Sequence, residues 1–206
     1  MDRARLTSDH SMRRLAAAAL AVMVSTAALA QAMPGIARAA DQAASTERAD
    51  LDRLFVALKA APSGEIAAAV EAEIWRIWMQ SGDAAIDERV REGTAALQAG
   101  ALAAALTAFD DVVARAPGYA EGWNKRATVL YMLGQYDRSI ADIEQVLTLE
   151  PRHFGAISGL GLNRIAKGEL AAALAAYRRV LEIEPASASA RANADRLSKA
   201  VEGEPL

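Results

Sequence analysis

Three prolines, Pro117, Pro151 and Pro185, stand 34 residues apart, and each closes a similar segment: VVARAP, VLTLEP and VLEIEP. Gly100, Gly134 and Gly168 keep the same interval, as do the apolar sets Leu102/Tyr136/Leu170 and Phe109/Ile143/Tyr177. A chain with such a period folds as stacked copies of one small unit, because each copy can bury its apolar face only on its neighbours. Within the unit, a glycine near the turn ends the first helix and the proline stops the second. Composition agrees with helices. Aromatic residues are 5% of the chain and alanine is abundant, whereas strands favour β-branched and aromatic side chains. At 53% apolar, the 206 residues are ample for a core.

The units are residues 83–119 with their entry turn, 120–153 and 154–187. Their period and pattern resemble the tetratricopeptide repeat family, a helix-turn-helix unit whose first helix begins W-x2-L-G-x2-Y. In the second unit Trp123, Ala127 and Leu130 stand at the tryptophan, glycine and tyrosine positions. In the third, Ile157, Leu160, Gly161 and Arg164 fill all four, and in the first Gly93 and Ala96 fill the last two. A small residue at the glycine position lets the two helices of a unit approach closely, with Ala105, Ser139 and Ala173 matching it on the second helix. Charges depart from the pattern at Arg89, Glu92, Arg126 and Arg164. Either their stems pack while their heads reach water or pair, as Glu92 with Arg126 across units, or they form the polar floor of a groove.

Outside the units, Leu51, Leu54, Phe55 and Leu58 mark one helix face before Pro62-Ser63-Gly64, and Ile66, Val70, Ile74, Ile77 and Trp78 mark a second before Ser81-Gly82. Residues 50–82 are therefore expected as a helical pair capping the first unit, with Trp75 and Trp78 bridging onto it. Residues 188–206 are expected as a capping helix and tail. The expected fold is all-α, a right-handed α-solenoid of three repeats closed at both ends.

Arg3, Arg5, Arg13 and Arg14 precede the apolar run LAAAALAVMVSTAALA, and small-residue sites follow at Ala28-Leu29-Ala30 and Ala37-Arg38-Ala39. That is the layout of a signal peptide over residues 1–39, cleaved near 30 or 39 and followed by a flexible lead over 40–49. A periplasmic location follows as an expectation, with no membrane span left after cleavage. Loss of the first 39 residues takes five arginines and two aspartates, moving the formal charge from −3 to −6. No clustered basic stripe is present to displace counterions from nucleic acid.

Chemistry is sparse. The absence of cysteine excludes thiolate metal sites, disulfides and thiol nucleophiles. His153 has no second histidine beyond the first 39 residues, and no G-x-S-x-G elbow exists. The glycines of LEPRHFGAISGLGLN lie inside a helix rather than on a strand-to-helix loop, so they do not form a phosphate cradle. Each costs the helix roughly 1 kcal/mol relative to alanine, which packing or close approach by a bound chain must offset. No enzyme activity, cofactor or metal is expected.

The resemblance implies an interaction scaffold whose first helices line a concave face that holds a peptide or protein partner. On that face stand Asn124, Thr128, Tyr131, Ser158 and Leu162, with Arg152 and His153 at the rim. The block from Glu121 to Gly161 is similar to a variant found in exported or organellar members, which groups Asn124, Arg126, Arg152, His153, Phe154 and Ser158 on one surface. His153 would recognise the partner in a pH-dependent manner. The chaperone-tail clamp of some members needs lysines and asparagines where Val90, Thr94 and Gly159 stand. The alternative is an accessory or assembly subunit of an envelope complex, docking through apolar surface around Phe55, Trp75 and Trp78.

Overall fold

The computed structural model describes residues 38, 42 and 45–203. The expected signal peptide and its cleavage sites lie outside the described residues, apart from Arg38. The chain divides between Asp50 and Leu51 into two units. In the first, residues 45–50 of the expected flexible lead and its boundary are helical. The second, from Leu51, carries the repeats.

The described residues of this second unit form helices only: α1 (51–59), α2 (Gly64–Trp78), α3 (Ala84–Gln98), α4 (Leu102–Arg115), α5 (Ala120–Met132), α6 (Tyr136–Leu149), α7 (Phe154–Ala166), α8 (Leu170–Ile183) and α9 (Ala188–Glu202). α3 packs on α4, α5 on α6 and α7 on α8, and each pair stacks on the next through α4–α5 and α6–α7. α9 covers α8 as a terminal cap. None of the described helices is long and apolar enough to cross a membrane.

The 34-residue period has two physical causes. Gly100, Gly134 and Gly168 all sit at φ between 71° and 75°, the left-handed conformation that turns the first helix into the second. The first-helix small residue and the second-helix apolar residue also co-vary in size. A Cβ on Gly93 would lie 2.8 Å from Phe109 Cζ, and one on Gly161 would lie 2.7 Å from Tyr177 Cε2. Where the second repeat has Ala127 instead of glycine, it has Ile143 instead of the ring, and both are buried in one cluster. The added methyl on one helix is matched by a smaller partner on the other, which keeps the pair at one spacing.

The N-terminal pair does not cap the first repeat. Leu51, Phe55 and Leu58 of α1 and Ile74, Ile77 and Trp78 of α2 share one core with Phe154, Ile157, Tyr177 and α9. α2 starts near the Ala186 carbonyl, 4.0 Å from a Cβ built on Gly64, and ends on His153 and Phe154. It therefore spans the turns that enter α9 and α7. The expectation that Trp75 and Trp78 bridge onto the first repeat is corrected: both pack on the third. A shape argument accounts for this, since Gly155 opens a notch for Trp75, and a Cβ there would lie 2.7 Å from its Cη2. The first repeat presents Glu88, Arg91 and Glu92 exposed, giving its surface a polar side.

One contact of this pair sets a pH dependence. Glu184, at the end of α8, is buried, and burial pushes its carboxyl up to about 8, reinforced by the neighbouring Glu71 carboxylate of α2. An unfolded glutamate titrates near 4.3, so the folded chain holds this proton more tightly. Its contribution to stability is complete below the unfolded value and is lost as pH rises through about 8. Urea midpoints should thus fall from pH 5 to pH 9, and Glu184→Gln should flatten the fall. An equal fall in both proteins would show that Glu184 does not carry it.

Candidate functional site

α5 and α7 are the first helices of adjacent repeats, and their N-terminal turns meet at a buried polar cluster. Glu121, in the first turn of α5, is fully buried and so is His153, which precedes α7. His153 Nδ1 accepts from the Ala156 backbone N–H at 3.1 Å, capping α7, which leaves the ring proton on Nε2, 3.2 Å from Glu121 Oε2. Asn124 Nδ2 donates to the same oxygen at 2.8 Å. Lys125 Nζ lies 3.2 Å from Glu121 Oε1, close enough for charge pairing but outside hydrogen-bond geometry. Trp78 stacks on the imidazole at 4.0 Å with 7° between planes, and Trp75 meets it edge-on at 5.5 Å. Both ring nitrogens are engaged and the ring is sealed by tryptophan. This histidine cannot reach a substrate as an acid or base.

Beside this cluster a depression of about 340 Å³, counting its open mouth, lies between α5 and α7. Asn124, Thr128 and Tyr131 form one wall, Gly155, Gly159 and Leu162 the other, and Ala127, Ser139, Ile143 and Asn163 also line it. No charged residue lines it. Cations close to it in sequence are engaged elsewhere: Lys125 by Glu121, Arg126 by Asp110 and Asp142, Arg138 by Gln135, Arg164 by Glu169, and Lys167 by Asp137 and Glu169. Tyr131 is steadied by Tyr136, with ring centroids 5.7 Å apart.

Of the residues expected to bind a partner, Asn124, Thr128 and Tyr131 come together here. Ser158 is half-buried on α7 and is not part of the lining. Arg126 points elsewhere: its Nε and Nη2 each lie 2.7 Å from an Asp142 oxygen, and its Nη1 is 2.9 Å from Asp110. The suggested Glu92–Arg126 pair does not form, Glu92 being bound to Arg89. Arg152 binds Glu150, reaches Asp52 at 2.7 Å and lies 4.2 Å over the Phe55 ring. The hydrogen bond to Glu150 raises its already high pKa, and its role is to fasten α1. His153 is not at a rim, because α2 covers it.

Sequence reasoning missed Glu121 and Asn163, both buried polar residues. Asn163 Nδ2 donates to Ser139 Oγ and to the Gly159 carbonyl, while its Oδ1 is buried without a partner. No sequence signal marks either residue, since each occupies an ordinary helical position. Among the described residues no group of three His, Asp or Glu side chains is placed to hold a metal.

The tetratricopeptide repeat family model matches residues 90–151 and 124–190. A TPR repeat-containing protein of Rhizobium etli is 37% identical over 161 residues, 78% of this chain and 79% of the relative. The Hsp70-Hsp90 organizing protein of Triticum aestivum is 30% identical over 119 residues, 58% of this chain but 20% of that protein. Among solved structures, the first TPR of Spaghetti (RPAP3) bound to the HSP90 peptide SRMEEVD aligns with a TM-score of 0.55 at 22% identity, covering 57% of this chain and 93% of that one. The Sgt2 TPR domain from Aspergillus fumigatus aligns at 0.56 and 23% identity, covering 60% and 87%. With the repeat geometry and the Rhizobium relative in agreement, the chain belongs to the tetratricopeptide repeat family.

Proposed function

We propose that this chain is a non-catalytic scaffold of the cell envelope that holds a peptide or partner protein between α5 and α7. The observation that carries the reading is the open, uncharged depression walled by Asn124, Thr128 and Tyr131 on one side and the glycines of α7 on the other. Relatives support it in kind: the Spaghetti domain is a TPR of the same fold solved with an HSP90 peptide. Their ligand does not transfer, because an acidic tail needs free cations and this lining offers none. The envelope location rests on the arginine-led apolar run and the small-residue sites within residues 1–39.

Crosslinking in intact cells followed by fractionation tests the reading. The mature chain should begin near residue 31 or 40, and partners captured by the native protein should be lost from the Asn124→Ala/Tyr131→Ala variant. Equal capture by both would remove the groove, and a chain retained in the cytoplasm would remove the envelope. For the alternative, docking through the N-terminal helices, Phe55 and Trp78 are buried and Trp75 is half-buried against the third repeat, so any such contact would rest on the exposed Val56, Ile66 and Met79 beside them.

A further inference from the structure

Three glycines punctuate α7, and the fold accounts for two of them. Gly155 receives Trp75 and Gly161 receives Tyr177, with a Cβ at either meeting a ring carbon at 2.7 Å. Gly159 is different. A Cβ there would meet only Ile143 Cδ1 at 3.5 Å, ordinary van der Waals contact, so internal packing does not require a glycine. Its φ is not in the left-handed region, so the backbone does not require one either. The helix carries the propensity cost of this glycine with no return from the fold.

The missing methyl opens onto the depression between α5 and α7. A second observation lies one helical turn on: Asn163, 1% exposed, lines the same depression and leaves Oδ1 without a donor. A buried carbonyl oxygen without a partner is costly, and a ligand that supplies the donor recovers that cost. The walls combine apolar surface from Ala127, Ile143 and Leu162 with amide and hydroxyl groups, and carry no charge. Tyrosine and tryptophan are the side chains that match, each joining an apolar body to a single donor at one end.

We propose that Gly159 and Asn163 form a specificity pocket that takes one tyrosine or tryptophan side chain of an uncharged partner segment, with its O–H or N–H donated to Asn163 Oδ1. The inference rests on the reading of the α5–α7 face as the binding surface. It sets the partner apart from acidic C-terminal tails, since the pocket has no cation to meet a carboxylate.

The test uses acetylated, amidated heptapeptides Ser-Gly-Ala-Xaa-Ala-Gly-Ser, with Xaa as Trp, Tyr, Phe or Glu, titrated into the isotope-labelled full chain and followed by amide chemical shifts. The Trp and Tyr peptides should shift α5 and α7 amides and bind about fivefold tighter than the Phe peptide, which lacks the donor. Gly159→Ala should weaken them about tenfold by filling the notch. The same variant should raise Tm by about 1–3 °C, because alanine suits this open helical position. Equal binding of Tyr and Phe peptides, or unchanged binding in Gly159→Ala, would overturn the proposal, and so would a lowered Tm. Shifts on α5 and α7 from the Glu peptide alone would overturn the aromatic assignment and leave the groove standing. No shifts there from any peptide would overturn the pocket, and equal partner capture by Asn124→Ala/Tyr131→Ala would then remove the groove as well.

Discussion

Arg126→Ala is expected to destabilise the protein by about 3–5 kcal/mol, the range for breaking one side of a buried ion pair. Asp142 is 5% exposed and both of its oxygens face the Arg126 guanidinium at 2.7 Å. Removing the arginine strands that carboxylate on α6, where no other cation among the described residues is paired with it. Asp110 shares the guanidinium, but its side chain is 48% exposed and water can replace the contact. Arg126 also lies 4.8 Å over the Trp123 ring, so truncation removes packing as well as charge. The hydrogen bond to Asp142 raises the Arg126 pKa further, so the pair stays ionised on the arginine side throughout the accessible pH range. Arg126→Lys should recover little, because an ammonium cannot make the two parallel bonds. The double variant Arg126→Leu/Asp142→Leu should return most of the stability, since it leaves no buried charge unpaired and the exposed Asp110 is met by water. Urea midpoints for the native protein and these three variants check the argument. A loss below about 1 kcal/mol for Arg126→Ala, the value of an exposed pair, would show that the bridge is solvated.

The repeat was legible in the sequence because its markers are backbone requirements: Gly100, Gly134 and Gly168 must adopt positive φ, and Pro117, Pro151 and Pro185 cannot continue a helix. The groove wall on α5 was legible from helical spacing, which places Asn124, Thr128 and Tyr131 on one side. Arg126 was ambiguous because a charge at a leucine position states only that something must neutralise it. Its partners came from residues 16 positions away on either side, Asp110 and Asp142, rather than from Glu92. The docking of α1 and α2 was not legible at all. Their apolar faces announce burial, but the surface that receives them is chosen by shape, through the notch at Gly155 and the ring of Phe154. Covering that surface also moved His153 from an expected rim to the interior.

His153→Ala should therefore act on folding rather than on recognition, with a loss of about 3–5 kcal/mol. Three separate contacts disappear with the ring. The Ala156 N–H loses its cap, worth about 1 kcal/mol. Glu121 keeps Asn124 and its nearby lysine but loses the donor at 3.2 Å in a fully buried site. Trp78 loses the face on which it stacks at 4.0 Å, and the void faces a packed core. His153→Asn separates these parts, because an asparagine oxygen can cap Ala156 without restoring the stack. It should recover about 1 kcal/mol and no more. Tryptophan fluorescence reports the remainder, since loosening α2 exposes Trp75 and Trp78 to water before the repeats unfold. The emission of His153→Ala should shift to the red at urea concentrations where far-ultraviolet ellipticity still matches the native chain. If the two signals instead fall together with a midpoint close to that of the native protein, the histidine does not hold the N-terminal pair on the third repeat.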